Sequence, residues 1–255
     1  MRALIKLGGT LLDDAGSRTR LARELTDLAD AHQIVVVHGG GKQMTRFLAE
    51  RGVESRFVDG LRVTTPEVVD ALLKVFAGSV NHELVAALVA AGARAVGLSG
   101  IDARLATAEQ MDPRLGAVGR IADADATVLD HLTQGGFLPV VACVAGGRTG
   151  EVYNVNADQM AVACAAAFRA EALIFLTDVD GVRDASGSIA ARLSTSDCAR
   201  LIEAQVATGG MQAKLTAAGD AIAKGVTRVT IAPGARDRAA AAALSGLPVG
   251  TAIHA

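Results

Sequence analysis

The chain has 255 residues, 51% of them hydrophobic, which suffices to enclose a sizeable core and excludes long disorder. Its net charge is −2 with both signs spread along the sequence, so no basic tract marks nucleic acid or a membrane surface as a partner. The three cysteines, Cys143, Cys164 and Cys198, stand far apart with no CxxC or Cys/His cluster, which argues against structural zinc and for a reducing, cytoplasmic setting.

The first residues run straight into a strand, "ALIKL", leaving no room for a signal peptide. A helix is predicted over Arg18–Gln33, where Leu21, Leu25 and Leu28 recur at helical spacing. "IVVVH" is a continuous apolar run, as expected of a buried parallel strand. "KQMTRFLAERG" reads as a helix stopped at Gly52, and Thr65–Gly92 as one long helix opened by Thr65, Pro66 and Glu67. Then come the strand "ARAVGLSG", the helix "DATVLDHLTQGG", the strand "FLPVVACV" and a helix over Asn156–Arg169. "EALIFLTDVDGV" is a strand with a turn, "STSDCARLIEAQV" and "GGMQAKLTAAGDAIAKG" are helices, and "VTRVTIA" is the last clear strand. The uncharged run Ala239–Ala255 is broken by Gly246, Pro248 and Gly250, which makes it a poor membrane span. Strand–helix units of this length predict a mostly parallel sheet covered on both faces, with two lobes sharing it and dividing near residue 170.

Glycine turns at the carboxyl ends of parallel strands are where such sheets bind ligands, because free amides there can point at an anion. Gly8–Gly9 and Gly39–Gly41 are two such turns; each taken singly is equally an ordinary tight turn. The P-loop pattern is absent, since Gln43 follows Gly41–Lys42 and Val36 stands where the first glycine belongs. GxGxxG is absent as well, and "HGGG" has no GxSxG elbow to make a serine hydrolase. In "EVYNVNADQMA", Asn154, Asn156 and Asp158 alternate with apolar residues and share one face if the segment is extended. Asp158 could equally be a helix N-cap, and Lys214 in "TGGMQAKL" a solvated surface lysine. Only five of the 25 basic residues are lysines, yet Lys6, Lys42 and Lys214 stand beside glycines, a hint that a compact ammonium is needed there.

Together, "IKLGG", "VVVHGGGK", "DGLRVT", "NVNAD", "LTDVDGV" and "GGMQAK" resemble, in order and spacing, the motifs of the amino acid kinase family, from Leu4 to about Gly234. The resemblance implies an open αβα sandwich with a mostly parallel central sheet, of the carbamate kinase-like kind, as a single domain over residues 1–255. It implies an N-terminal lobe, to about residue 170, for an acyl acceptor and a C-terminal lobe, from about 171, for ATP. The implied reaction moves the γ-phosphoryl group of ATP, with Mg2+ held mainly by phosphates and water, to the side-chain carboxylate of N-acetyl-L-glutamate, in arginine biosynthesis. Lys6 and Lys214 would approach the migrating group from either lobe, Asp158 would fix them, and Gly8, Gly9, Gly40 and Gly41 would donate amide hydrogens. Arg62 would clasp the acceptor's α-carboxylate, Asn154 would bind substrate and Asn156 would support it. Thr177, Asp178, Val179, Asp180, Gly181 and Val182, with Val206, Ala207, Thr208, Gly209 and Gly210, fall where the family cradles the nucleotide.

This chain departs from the family where relatives read "SGKDG" and it reads "SGIDA", with Ile101 and Ala103, and where Cys143 replaces a frequent proline. It lacks the N-terminal helical extension of arginine-inhibited hexameric relatives, so a homodimer without strong arginine feedback is expected, with the Thr65–Gly92 helix as a candidate contact. Two rivals stand beside the leading reading. A sister kinase acting on carrier-linked aminoadipate or glutamate would need a basic cluster around the acceptor mouth, and none is seen in the sequence. A non-catalytic nucleotide sensor would be expected to lose Lys6, Asp158 or Lys214, all of which are present.

Overall fold

The computed structural model describes residues 1–255. Eight strands form the central sheet: β1 (Arg2–Leu7), β2 (Gln33–His38), β3 (Ala95–Ser99), β4 (Leu138–Ala142), β5 (Ala172–Thr177), β6 (Arg192–Ser194), β7 (Arg228–Pro233) and β8 (Thr251–His254). Their spatial order is β6-β8-β7-β5-β1-β2-β4-β3. From β7 to β3 every neighbouring pair is parallel, as continuous apolar runs such as "IVVV" require when both faces are covered. The pairing reverses between β7 and β8, which are antiparallel. β5 begins just past the expected lobe division and pairs directly with β1, so one sheet runs through both halves.

The helices are α1 (Ala15–Ala31), α2 (Gly41–Ala49), α3 (Pro66–Ala90), α4 (Thr127–Gln134), α5 (Ala157–Ala167), α6 (Thr195–Glu203), α7 (Gly209–Ala223) and α8 (Ala239–Leu244). α1 starts earlier than its leucine spacing predicts, because the Asp14 carboxylate caps it, accepting from Ser17 N at 2.7 Å and Gly16 N at 3.3 Å. α3 is one long helix, as expected, but Leu73–Val80 within it is wound as a π-helix. Sixty-seven buried residues form one core that includes Leu4, Ile5, Val35, Val36, Phe168 and Phe175.

Two features depart from the sequence reading. The run Ala239–Ala255 splits into α8 and the final strand β8, so "VTRVTIA" is not the last strand. A second sheet of four short strands, 106–110, 119–124, 144–146 and 152–154, lies apart from the central one. Its segments, such as "ATAEQ" and "GRIADA", carry no apolar run that would announce a strand.

Candidate active site

The chain leaves β1 for β2 on one side, while β5 adds to β1 from the other, so the carboxyl ends of these three strands bound a crevice at the reversal of strand order. Lys6 is carried there by β1 with its side chain 8% exposed. Asp158 comes from α5 and Lys214 from α7, two helices that pack together. Lys6 Nζ lies 2.7 Å from Asp158 Oδ1, and Lys214 Nζ lies 3.3 Å from Asp158 Oδ2.

Burial alone would push the Asp158 carboxyl up, but the Lys6 and Lys214 ammoniums outweigh it and hold the group below the usual carboxylate range. The trio carries two positive charges and one negative, a net positive charge turned towards the crevice and suited to an anion. Asp158 is not the helix cap. Asn156 takes that place, its Oδ1 accepting from Asp158 N at 2.9 Å and Gln159 N at 3.2 Å. The helix therefore begins at Ala157, and the extended stretch that would put Asn154, Asn156 and Asp158 on one face is not formed. Because Asn156 caps α5, the Asp158 carboxylate is left to the lysines.

Both glycine turns border the crevice. The Gly8 amide donates to Leu176 O at 2.9 Å, continuing the β1–β5 ladder, so it has no hydrogen left for a ligand; this corrects its expected role as a donor. A Cβ on Gly9 would come within 3.3 Å of Gly41 N and 3.5 Å of Gly40 N, which places those amides beside Gly9. Gly40 N has no acceptor within the protein. A Cβ on Gly40 would meet the Phe76 ring at 2.9 Å, so the π-wound turn of α3 packs directly on this glycine.

Next to Gly9 and Gly41 opens a pocket of about 610 Å³, lined also by Lys42, Arg46, Phe57 and Arg62 and by no acidic residue. Arg62 projects from a two-residue hairpin strand, its guanidinium 4.6 Å from the Phe57 ring. Arg62 Nη2 donates to Thr45 Oγ1 at 2.7 Å and Gly41 O at 3.2 Å, and Nη1 donates to Ser55 Oγ. Asn154 Nδ2 donates to Thr64 Oγ1 at 3.0 Å, and that hydroxyl donates to Arg62 O at 2.9 Å. Lys42 and Arg46 lie one turn apart on α2 and are exposed, so a basic cluster does stand at this mouth, contrary to the sequence reading. Their spacing of four residues was the signal for it.

On the other side of β1, Asp178, Val179, Asp180, Val206, Thr208, Gly209 and Gly210 are exposed. Gly181, Val182 and Ala207 are buried, and Val182 N donates to Thr251 Oγ1 at 2.8 Å. Gly209 and Gly210 open α7, whose free amino end points its amides outward ahead of Lys214. Cys143, at the end of β4, is 2% exposed, and burial pushes its thiol up to about 12, which leaves it inert at neutral pH. Ala103 adopts φ 51°, a left-handed conformation that suits the glycine of relatives better than alanine. A cavity of about 820 Å³ opens near the amino ends of β1, β5 and β7 at Met1, Glu171 and Arg228, and holds none of the residues above.

A family model described as the amino acid kinase family matches residues 1–233. An acetylglutamate kinase of Solibacter usitatus is 61% identical over 252 residues, covering 98% of both chains. An acetylglutamate kinase of Acidobacterium capsulatum is 46% identical over 236 residues, 91% of both chains. Among solved structures, N-acetylglutamate synthase of Neisseria gonorrhoeae, in complex with coenzyme A and N-acetyl-glutamate, matches all of this chain with a TM-score of 0.87 at 26% identity. This chain spans 59% of that longer one.

Proposed function

The chain belongs to the amino acid kinase family, and from that premise we propose that it transfers the γ-phosphoryl group of ATP to the side-chain carboxylate of N-acetyl-L-glutamate, giving the acyl phosphate. The observation that carries this reading is Asp158 held between Lys6 and Lys214 beside two glycine turns.

Transfer of a phosphoryl group needs its charge neutralised and the reactants held in line. Lys6 reaches the migrating group from the acceptor side and Lys214 from the nucleotide side. Asp158 keeps the two ammoniums at a fixed separation and stays ionised throughout. The acceptor is a carboxylate with a pKa of about 4.3, already ionised at neutral pH, so no side chain has to remove a proton. Gly9, Gly40 and Gly41 supply amide hydrogens, and these act most strongly if they face charge that develops in the transition state. Arg62 binds the α-carboxylate, with Asn154 holding the acceptor beside it. Three cations around this pocket, Lys42, Arg46 and Arg62, suit a small acceptor that carries two carboxylates.

The exposed edge of Val179 and Val206 and the amide-rich start of α7 fit an adenine nucleotide with its phosphates towards Lys214. No three His, Cys, Asp or Glu side chains converge, and both Asp158 oxygens face ammoniums. A magnesium ion accompanying ATP would therefore draw its oxygens from phosphates and water, where it offsets phosphate charge. The same reading places the protein in arginine biosynthesis in the cytoplasm. It also includes a homodimer, for which the sheet-edge strand β3, "AVGLS", and the exposed Leu73 and Val89 of α3 offer an apolar surface. Light scattering after gel filtration checks that state, and a hexamer would overturn it.

The test of the reaction is hydroxylamine trapping of the acyl phosphate, with N-acetyl-L-glutamate, glutamate, aspartate and carbamate offered in turn. Hydroxamate is expected from N-acetyl-L-glutamate alone. Reaction with aspartate or carbamate and not with N-acetyl-L-glutamate would overturn the substrate.

A further inference from the structure

His38 heads the second glycine turn and takes no part in the transfer described above. Its side chain is fully buried, at 0% exposure. Burial pulls its pKa down to about 4 against the opposing pull of the Gly39 carbonyl, so the ring is neutral at pH 7. The two ring nitrogens have different partners. Nδ1 lies 2.8 Å from Gly39 O, and a carbonyl only accepts, so Nδ1 carries the proton. Nε2 is then a lone pair that accepts from Asn81 Nδ2 at 3.0 Å. The second hydrogen of that amide goes to Val140 O on β4 at 2.9 Å. Both donors of Asn81 are thereby spent on acceptors, which fixes the carboxamide. Asn81 is itself 1% exposed and follows directly on the π-wound turn of α3. Gly97 leaves room for it, since a Cβ there would collide with Asn81 Oδ1.

This chain of hydrogen bonds ends on one peptide plane. Across a trans peptide the carbonyl and the next N–H point in opposite directions. Holding the Gly39 carbonyl against the buried imidazole therefore turns the Gly40 N–H away from His38, towards the space beside Gly9. This is the amide with no acceptor inside the protein. We propose that His38 is a positioning residue which, held by Asn81, fixes the Gly39–Gly40 peptide so that the Gly40 amide meets the migrating phosphoryl group already oriented. A half-turn of that peptide would offer the anion a carbonyl oxygen in place of a donor. The inference rests on the kinase reading above and deepens it by assigning the histidine of the turn a task other than proton transfer.

The experiment has two arms. The first reads the His38 tautomer in the unaltered chain by long-range 1H–15N NMR, without substrate. The Nδ1–H form is expected; an Nε2–H ring would overturn the proposal. The second compares kcat and both KM values for His38→Leu, Asn81→Leu and His38→Asn, the last of which keeps a donor near the Nδ1 position. For the two leucine variants kcat is expected to fall about 10- to 100-fold, somewhat less than loss of an oxyanion-hole donor, with both KM values within about three-fold. His38→Asn is expected to recover several-fold of that loss. An undiminished kcat in a folded leucine variant, a KM rising in step with the loss, or no recovery in His38→Asn would overturn it. Should neither leucine variant fold, the tautomer and the kcat of His38→Asn decide. If the unaltered chain does not phosphorylate N-acetyl-L-glutamate, the functional reading fails, and the tautomer still tests the lock by itself.

Discussion

On the side of the crevice proposed for the acceptor, the protein's own groups hold the polar side chains: Arg62 by Thr45, Ser55 and the Gly41 carbonyl, Asn154 by Thr64, and His38 by Asn81. On the side proposed for the nucleotide, Asp178, Val179, Asp180, Thr208, Gly209 and Gly210 lie in solvent, and Thr177 Oγ1 donating to Asp178 Oδ1 at 3.2 Å is a link between neighbours. The first side is assembled before any ligand arrives, so its selectivity rests on fixed geometry. The second is anchored by buried Gly181, Val182 and Ala207 and leaves the residues between and beyond them exposed, for a bound nucleotide to order at the proposed site.

The contrast is sharpest where the two sides meet. Lys6→Ala and Lys214→Ala are each expected to lower kcat about 10²- to 10³-fold, or about 2.7–4 kcal/mol. Full turnover by Lys214→Ala would mean that the nucleotide side does not share the transition state. A second measurement probes the rigidity of the acceptor side. His38 binds its proton far less readily when folded than when unfolded, so between pH 6.5 and about 4 the unfolded chain holds more protons. Stability from this residue is complete above about pH 6.5, declines as the pH falls and is gone below about pH 4, a swing of about 3 kcal/mol. Thermal melts over this range are expected to flatten in His38→Leu; an unchanged slope would count against a buried neutral ring.

Smaller effects separate the two glycine sites. Gly40→Ala drives a methyl group into the Phe76 ring and is expected to destabilise by about 1–3 kcal/mol. Gly209→Ala meets open space and bears only its φ of 53°, worth about 1–2 kcal/mol. Chemical denaturation gives both values, and a greater loss at Gly209 would reverse the comparison. Smallest is Ala103→Gly, which relieves the left-handed φ of 51° and is expected to stabilise by up to about 1 kcal/mol, less the entropy that glycine restores to the unfolded chain.

Much of this was legible in the sequence alone. Continuous apolar runs announced the parallel strands, and the glycine turns at their ends announced the crevice. Most of what escaped had no periodic signal. β8 is four residues, "TAIH", behind Gly246, Pro248 and Gly250, and its place beside β7 is set by packing at a distance. The pocket proposed for the acceptor draws on the first glycine turn, α2 and a two-residue hairpin strand, so the spacing of Lys42 and Arg46 showed only part of its charge, and Arg62 joins them when those segments meet. At the trio the identity of Asp158 was readable, but its freedom was not, because that depends on Asn156 taking the cap. Gly8 shows the converse: its motif suggested a donor, and the β1–β5 pairing used the hydrogen.

The π-wound stretch of α3 has a bearing on how related chains should be compared. Such a turn holds a surplus residue relative to regular α winding, and each residue of an α-helix advances the side chains by about 100°. Delete one residue between positions 73 and 80, and the stretch relaxes to ordinary winding with the residues after it facing close to where they did, because the wider turn had absorbed the extra one. Asn81 would then keep its place against His38. In an alignment, a one-residue gap inside this stretch is therefore compatible with the same support for the glycine turn, where a gap in regular winding would turn the following face by about 100°.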